Sequence, residues 1–255
     1  MKKSKIIEVK NISLNYHTMS GEIKALSKMT FDLYKNEFLT IVGPSGCGKS
    51  TMLSIIAGLT EKSGGEVLIP DSKSRDITEL VGYMFQRDEL FPWRTILENI
   101  FLGLETKHNL NEKTKSHAVN LMKKYGLWDF AKNYPNELSG GMRQKAALIR
   151  TLAIDPEILL LDEPFSALDY QTRLMISGEV HEIIRNENKT AILISHDVSE
   201  AINLSDRILI FSKRPSHVKR TLDIDENFLN IPISQKRKSP LFDEYFDTVW
   251  SELNE

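Results

Sequence analysis

Gly43-Pro44-Ser45-Gly46-Cys47-Gly48-Lys49-Ser50-Thr51 lies between the apolar run Phe38-Leu39-Thr40-Ile41-Val42 and the stretch from Met52 to Ala57. The first flank has the composition of a buried strand and the second that of a helix. A strand, a glycine-rich turn and a helix, in that order, read as a phosphate-binding loop. Gly43, Gly46 and Gly48 let the backbone curl into a nest whose amide hydrogens point inward, and the helix adds roughly half a positive charge at its N-terminus. Polyphosphate is the natural occupant. Lys49 reaches the β- and γ-phosphates as a point charge, and the Ser50 hydroxyl ligates Mg²⁺. Pro44, Ser45 and Cys47 complete the cradle, while Thr51 is expected to pack or bond within the helix. Cys47 sits near the helix start, a setting that favours thiolate, so alkylation is expected to block the loop and a bound Mg²⁺-polyphosphate to protect it.

The rest of the chain narrows the choice among phosphate-loop proteins. Asn188-Lys189 is followed by Thr190-Ala191, which leaves no carboxylate to pair with a guanine edge and argues against GTP. Leu138-Ser139-Gly140-Gly141-Met142-Arg143-Gln144 ends a polar loop and opens a helix expected to reach about Ile154. The Ser139 hydroxyl and the bare amides of Gly140 and Gly141 make a second anion site at a helix N-terminus. Ile158-Leu159-Leu160-Leu161 is apolar without alternation, as expected of a parallel strand buried on both faces, and it ends in Asp162 and Glu163. Active groups in open α/β sheets gather at that carboxyl end. Asp162 is placed to hold Mg²⁺ through its water shell, and Glu163 to orient and polarise the attacking water.

The segment from Leu138 to Gln144 resembles the signature sequence of ATP-binding cassette (ABC) proteins, and other segments fit the same family in order. Gln86, after Val81-Gly82-Tyr83-Met84-Phe85, matches the Q-loop glutamine that touches Mg²⁺ and the lytic water. Ser166-Ala167-Leu168-Asp169 matches the D-loop, and His196 the switch histidine that contacts the γ-phosphate. Tyr16 lies where the family places an aromatic that stacks on adenine. From Tyr16 to His196 the resemblance covers nearly all of the chain except its tail. It implies an α/β fold: a P-loop NTPase (RecA-like) core with an antiparallel β subdomain and an inserted α-helical subdomain at about 88–155. The nucleotide-binding domain is expected over 1–215, with a short tail at 216–255. It further implies ATP and Mg²⁺ as cofactors and a head-to-tail dimer, each nucleotide held between one phosphate loop and the partner's signature loop.

Length and composition agree. The 255 residues suffice for one large α/β core with an inserted lobe but are short for two cassettes, and each motif occurs once, so the functional pair needs a second copy or a similar chain. No apolar run approaches the roughly 20 residues of a membrane-spanning helix. The basic start Met1-Lys2-Lys3-Ser4-Lys5 leads straight into a strand expected over Ile6 to Leu14, which is not the pattern of a signal peptide. One cysteine suits a reducing cytosol, and a net charge of −2 supplies no field for nucleic acid. Residues 1–87 are expected to supply an antiparallel strand pair and the first half of the core, and 88–155 to be mostly helical. Ile176, Val180, Ile183 and Ile184 form one helical face, and strands at Ala191 to Ile194 and Arg207 to Phe211 are expected to finish the sheet.

Partners are read from Phe91-Pro92-Trp93-Arg94, an apolar turn just after the Q-loop. It either packs within the helical lobe or, as the resemblance implies, docks the coupling helix of a membrane permease. Phe91-Pro92-Trp93-Arg94-Thr95, and the run from Ala167 to Arg173, look like the nitrate, sulfonate and taurine branch of bacterial importer ATPases. Ser216 stands where that branch commonly has glycine. The implied setting is the cytoplasmic face of the cell membrane, with an extracytoplasmic solute-binding protein as an indirect partner. An exporter ATPase and a soluble cassette without a permease stay open as alternatives. In the tail, Gln235-Lys236-Arg237-Lys238-Ser239 reads as a solvated turn. Phe242, Tyr245, Phe246, Val249 and Trp250 read as a helical stripe for the core or for the dimer mate.

Overall fold

The computed structural model describes residues 4–18, 21–70 and 76–254. The basic Met1-Lys2-Lys3 and the turn residue Ser20 lie outside them. The chain forms two compact units, one from residues up to Leu80 together with Lys189 onward, the other from Val81 to Asn188.

In the first unit, β1 (Lys5–Thr18), β2 (Gly21–Tyr34) and β4 (Gly64–Leu68) form an antiparallel sheet in the order β2-β1-β4. The expected strand pair is therefore a sheet of three. A second sheet runs β7 (Thr190–Ile194), β3 (Phe38–Val42), β8 (Arg207–Phe211) and β9 (Val218–Asp223). Its first three strands are parallel, with Leu39 between Ile192 and Arg207, and all five residues of β3 are buried. Apolar runs without alternation are what strands covered on both faces require. Helices α1 (Lys49–Ile56), α2 (Ile77–Leu80) and α7 (Val198–Leu204) also belong to this unit.

Two expectations about the C-terminal region are corrected here. The sheet does not finish at Phe211, because β9 adds antiparallel to β8. Beyond it, α8 (Glu226–Leu229), α9 (Ile233–Lys236) and α10 (Pro240–Asn254) pack Phe228, Phe242, Tyr245 and Val249 against Val198, Ile202, Ile208 and Ile210. Of the aromatic stripe, Phe242, Tyr245 and Val249 thus belong to the chain's own core with Phe246 packed at its edge, while Trp250 is exposed. Nor is the basic run wholly solvated: Lys236 is buried, and its Nζ donates to Asn203 O at 2.7 Å while lying over the Phe228 ring.

The second unit holds the parallel pair β5 (Val81–Met84) and β6 (Ile158–Asp162) with α3 (Ile96–Thr106), α4 (Glu112–Lys124), α5 (Gly140–Ala153) and α6 (Tyr170–Asn186). Thr95 and Asn111 start α3 and α4 with reciprocal capping boxes to Glu98 and Thr114. Central α5 buries Ala146, Ala147, Leu148 and Ile149 in succession, so it is covered nearly all round. On α6, Ile176, Val180, Ile183 and Ile184 are buried, the face read from their spacing.

Candidate functional site

In the first unit the loop after β3 carries Gly46 at φ 71° and Gly48 at φ 116°, conformations that only glycine adopts without strain. Gly43 serves differently, since a Cβ there would lie 3.0 Å from both Cys47 Sγ and Phe211 Cβ. Lys49 is 4% exposed, and its ammonium is held against the loop by Gly43 O at 2.9 Å and Pro44 O at 3.1 Å. Ser45 and Ser50 are exposed. The loop therefore brings a buried cation, an exposed serine and a helix start to one place, which fits the donor set a Mg²⁺-polyphosphate needs. Among the described residues no cluster of three or more His, Cys, Asp or Glu could cage a metal.

Cys47 departs from expectation. Its side chain is buried, and burial pushes the thiol up against the opposing influence of Lys49. Desolvation outweighs the helix start, so the thiolate is disfavoured here. Thr51 departs too: its Oγ1 shares a 3.2 Å hydrogen bond with the Tyr16 hydroxyl, tying α1 to β1 instead of to its own helix. The half-exposed Tyr16 ring is thereby held beside the loop. His196, also in this unit, follows β7 and is exposed.

In the second unit, β6 delivers Asp162 and Glu163 to its carboxyl end as the apolar run indicated. The Tyr83 hydroxyl donates to Asp162 Oδ2 at 3.0 Å. Glu163 stands in the left-handed region at φ 49°, and Gln86 Nε2 lies 3.5 Å from its Oε2 and donates to Ser166 Oγ at 3.2 Å. Gln86, Asp162 and Glu163 are thus brought together on one surface.

Sequence reasoning missed the two arginines that brace this surface. Arg150 on α5 donates to Glu89 O at 2.6 Å and Asp88 O at 2.7 Å. Arg143 donates through Nε to Asp88 Oδ2 at 3.0 Å and through Nη1 to Leu138 O at 2.8 Å. The segment after Gln86 is therefore clasped to the helix that begins at Ser139. Two arginines seven positions apart lie on one helical face, a spacing that could have revealed them.

Ser139 caps α5 by accepting from Met142 N at 3.3 Å, and Asp169 caps α6 by accepting from Thr172 N at 3.1 Å. Hydrogen bonding from the Thr172 side chain, and then from its backbone N–H, holds the Asp169 carboxyl below its ordinary range. A Cβ on Gly141 would lie 2.7 Å from Ile176, so glycine permits the two helices to meet. The starts of α5 and α6 border a cleft of about 510 Å³ that includes Ser139, Gly140 and Asp169.

The turn from Phe91 to Arg94 is an exposed feature with a rigid base. Buried Asn99 accepts from Phe91 N at 2.6 Å and donates to Phe91 O, Arg94 O and Thr95 O at 3.0–3.1 Å. The Phe91 and Trp93 rings stack at 4.9 Å, and Trp93 is 70% exposed. Packing inside the lobe does not account for that tryptophan.

Residues 26–166, from the phosphate loop's approach through both carboxylates, match the ABC transporter family. The chain belongs to the ABC transporter family of ATP-binding ATPases. Among its relatives, the ABC transporter ATP-binding protein YtlC of Bacillus subtilis (strain 168) is 44% identical, covering 97% of this chain and 95% of YtlC. The aliphatic sulfonates import ATP-binding protein SsuB of Bacillus cereus (strain ZK / E33L) is 38% identical, covering 91% of this chain and 90% of SsuB. In three dimensions this ATPase resembles the ATP-binding cassette MJ0796, solved as a dimer in a post-hydrolysis state with ADP and Pi. The TM-score is 0.72 at 32% identity, over 86% of this chain and 99% of that one. The expected α/β cassette fold is therefore the one observed.

Proposed function

We propose that this ATPase is the energy-coupling subunit of a bacterial ABC importer for small solutes, either anions of the nitrate, sulfonate and taurine kind or small organic molecules. The observation that carries the reading is the exposed Phe91–Trp93 stack, rigidly based on Asn99 just after the Q-loop glutamine, in a chain whose relatives include a sulfonate import ATPase. An exposed aromatic pair on a rigid base is the type of group that anchors an interface once a partner covers it, here a permease. In this reading attachment to the cytoplasmic face of the cell membrane runs through that permease; among the described residues no helix is long and apolar enough to cross a membrane. Solute recognition belongs to the permease and to an extracytoplasmic binding protein.

For the chemistry, the inward amides of Gly43 to Thr51 and the Lys49 ammonium bind the β- and γ-phosphates, and Tyr16 stacks on adenine, an interaction worth roughly 1–3 kcal/mol. As the family resemblance implies, Ser50, Gln86 and Asp162 would hold Mg²⁺, which would neutralise charge on the phosphate oxygens. Glu163 orients a water for in-line attack on the γ-phosphorus and takes its proton as the bond to the ADP oxygen breaks. His196 hydrogen-bonds the γ-phosphate. Ser139, Gly140, Gly141 and Asp169 serve the nucleotide of a second copy, so ATP joins two chains and its hydrolysis releases them. The dimeric state of MJ0796 supports this arrangement. The test is Glu163→Gln: ATP binding is retained, turnover falls by about 100-fold or more, and an ATP-dependent dimer accumulates in sedimentation. Hydrolysis near the wild-type rate would assign the base elsewhere.

A further inference from the structure

Beside the phosphate loop, the first unit holds a larger cleft of about 820 Å³. Its walls are β2 at Ser27 to Thr30, the turn between β8 and β9, the end of α10, and Pro44 of the phosphate loop. Lys28, Lys213 and Arg214 line it, joined by His217 and Lys219. Neither Lys49, Ser50 nor Tyr16 does.

The charge in this cleft is not balanced. Glu252, the acid among its lining residues, is already matched by Lys219 at 3.2 Å and by Arg220 at 2.9 Å. Among the described residues, the side chains of Lys28, Lys213 and Arg214 have no ion-pair or hydrogen-bond partner. Three unmatched cations around one concavity raise the local potential for an anion by several kT. Arginine beside lysine adds a planar fork that grips oxyanions through paired N–H groups.

The turn that carries two of these cations is fixed in place. Ser212 N donates to His217 O at 3.0 Å, and His217 N donates to Ser212 Oγ at 3.0 Å. Buried Ser216 joins the turn to β2, donating from N to Ala25 O at 3.0 Å and accepting at O from Ser27 N at 2.8 Å. Its hydroxyl donates to Ser212 O at 3.1 Å, which gives this serine a purpose where the branch commonly has glycine. Lys213 and Arg214 are thus presented from a braced scaffold, with little backbone entropy left to lose on binding. Phe211, Pro215 and Leu253 supply apolar wall for a ligand with a carbon skeleton.

From this convergence we infer that the cleft is a second ligand site, for a small free oxyanion of two or more negative charges, separate from the nucleotide. It adjoins the phosphate loop directly: Pro44 forms part of its wall, and Arg214 Nη2 lies 3.8 Å from where a Cβ on Gly46 would stand.

The test uses the full chain saturated with MgADP, so that the phosphate loop is occupied. Sodium sulfate is titrated at constant ionic strength by calorimetry. Wild type is expected to bind one sulfate per chain, and Lys213→Ala with Arg214→Ala to weaken it by about tenfold or more, the loss of a charge-assisted pair. Circular dichroism confirms that the double variant is folded, and Lys28→Gln, on a different strand, weakens binding independently. Absence of sulfate binding under saturating MgADP would overturn the inference, as would equal affinity in all three proteins. Flotation with phosphatidylglycerol vesicles separates a lipid headgroup from a free anion: a Lys213-dependent and Arg214-dependent vesicle association without sulfate binding would also overturn it.

Discussion

Glu163 sits at φ 49°, where a side chain with a Cβ is strained, and strain of that kind costs about 1–3 kcal/mol. Its carbonyl accepts from Ser166 Oγ at 2.9 Å and its carboxylate faces the Gln86 amide, so the turn that aims it is held from both ends. Cys47 illustrates how local surroundings overrule position. The helix start favours thiolate, yet burial dominates and the thiol is raised. The folded state therefore favours the neutral thiol. The stability this gives is present below the ordinary thiol range and is lost as pH rises through the raised value. At pH 8, iodoacetamide is expected to modify Cys47 at least about tenfold more slowly in the native chain than in the chain unfolded in urea, with or without MgATP. Equal rates would show the thiol to be open, as position alone suggests.

At the scale of elements, α5 is where the site is held together. Arg150 bonds two carbonyls and Arg143 spans Asp88 and Leu138, so the segment after Gln86 and the signature turn share one support. Bonds to a charged group contribute about 1.5–3 kcal/mol each, and removing the guanidinium orphans two carbonyls. Arg150→Ala is expected to lower thermal stability and to reduce kcat by about tenfold or more while Kd for ATP, measured on the folded protein, changes little. Arg150→Lys is not expected to rescue kcat, because an ammonium lacks the fork. Unchanged kcat in either variant would remove the bracing role.

The motifs of this site were legible because each joins a residue type to a fixed spacing on one element: glycines in a loop, acids at the end of an apolar strand, a serine before a helix. What stayed hidden depends on partners far away in sequence. Asn99 gives no local sign that it will anchor Phe91, and Thr51 none that it will meet Tyr16. The third strand β4 was unread because its five residues, Gly64-Gly65-Glu66-Val67-Leu68, are half turn signal by composition and gain their meaning from β1. Lys236 looked solvated in a run of charges, yet burial of its stem and the Asn203 carbonyl decide otherwise.

For the whole molecule, the C-terminal residues are part of the fold of their unit. Phe228 and Val249 are fully buried, and each such side chain contributes roughly 1.5–3 kcal/mol through burial. Truncation after Ser239, which removes α10, is expected to lower the denaturation midpoint sharply and to expose the β8 face to aggregation; a midpoint within about 2 °C of wild type would contradict that packing. By contrast, Trp93 protrudes from a base that does not depend on it, so Trp93→Ala is expected to leave folding and ATP hydrolysis nearly intact. The most direct test of an energy-coupling role is affinity purification of the tagged chain from gently solubilised membranes, with wild type and Trp93→Ala in parallel and ATPase activity assayed on each. A multi-spanning permease is expected with wild type and a loss of about tenfold or more of that permease with the variant. Active ATPase with no membrane-spanning partner, or equal recovery with both proteins, would contradict it.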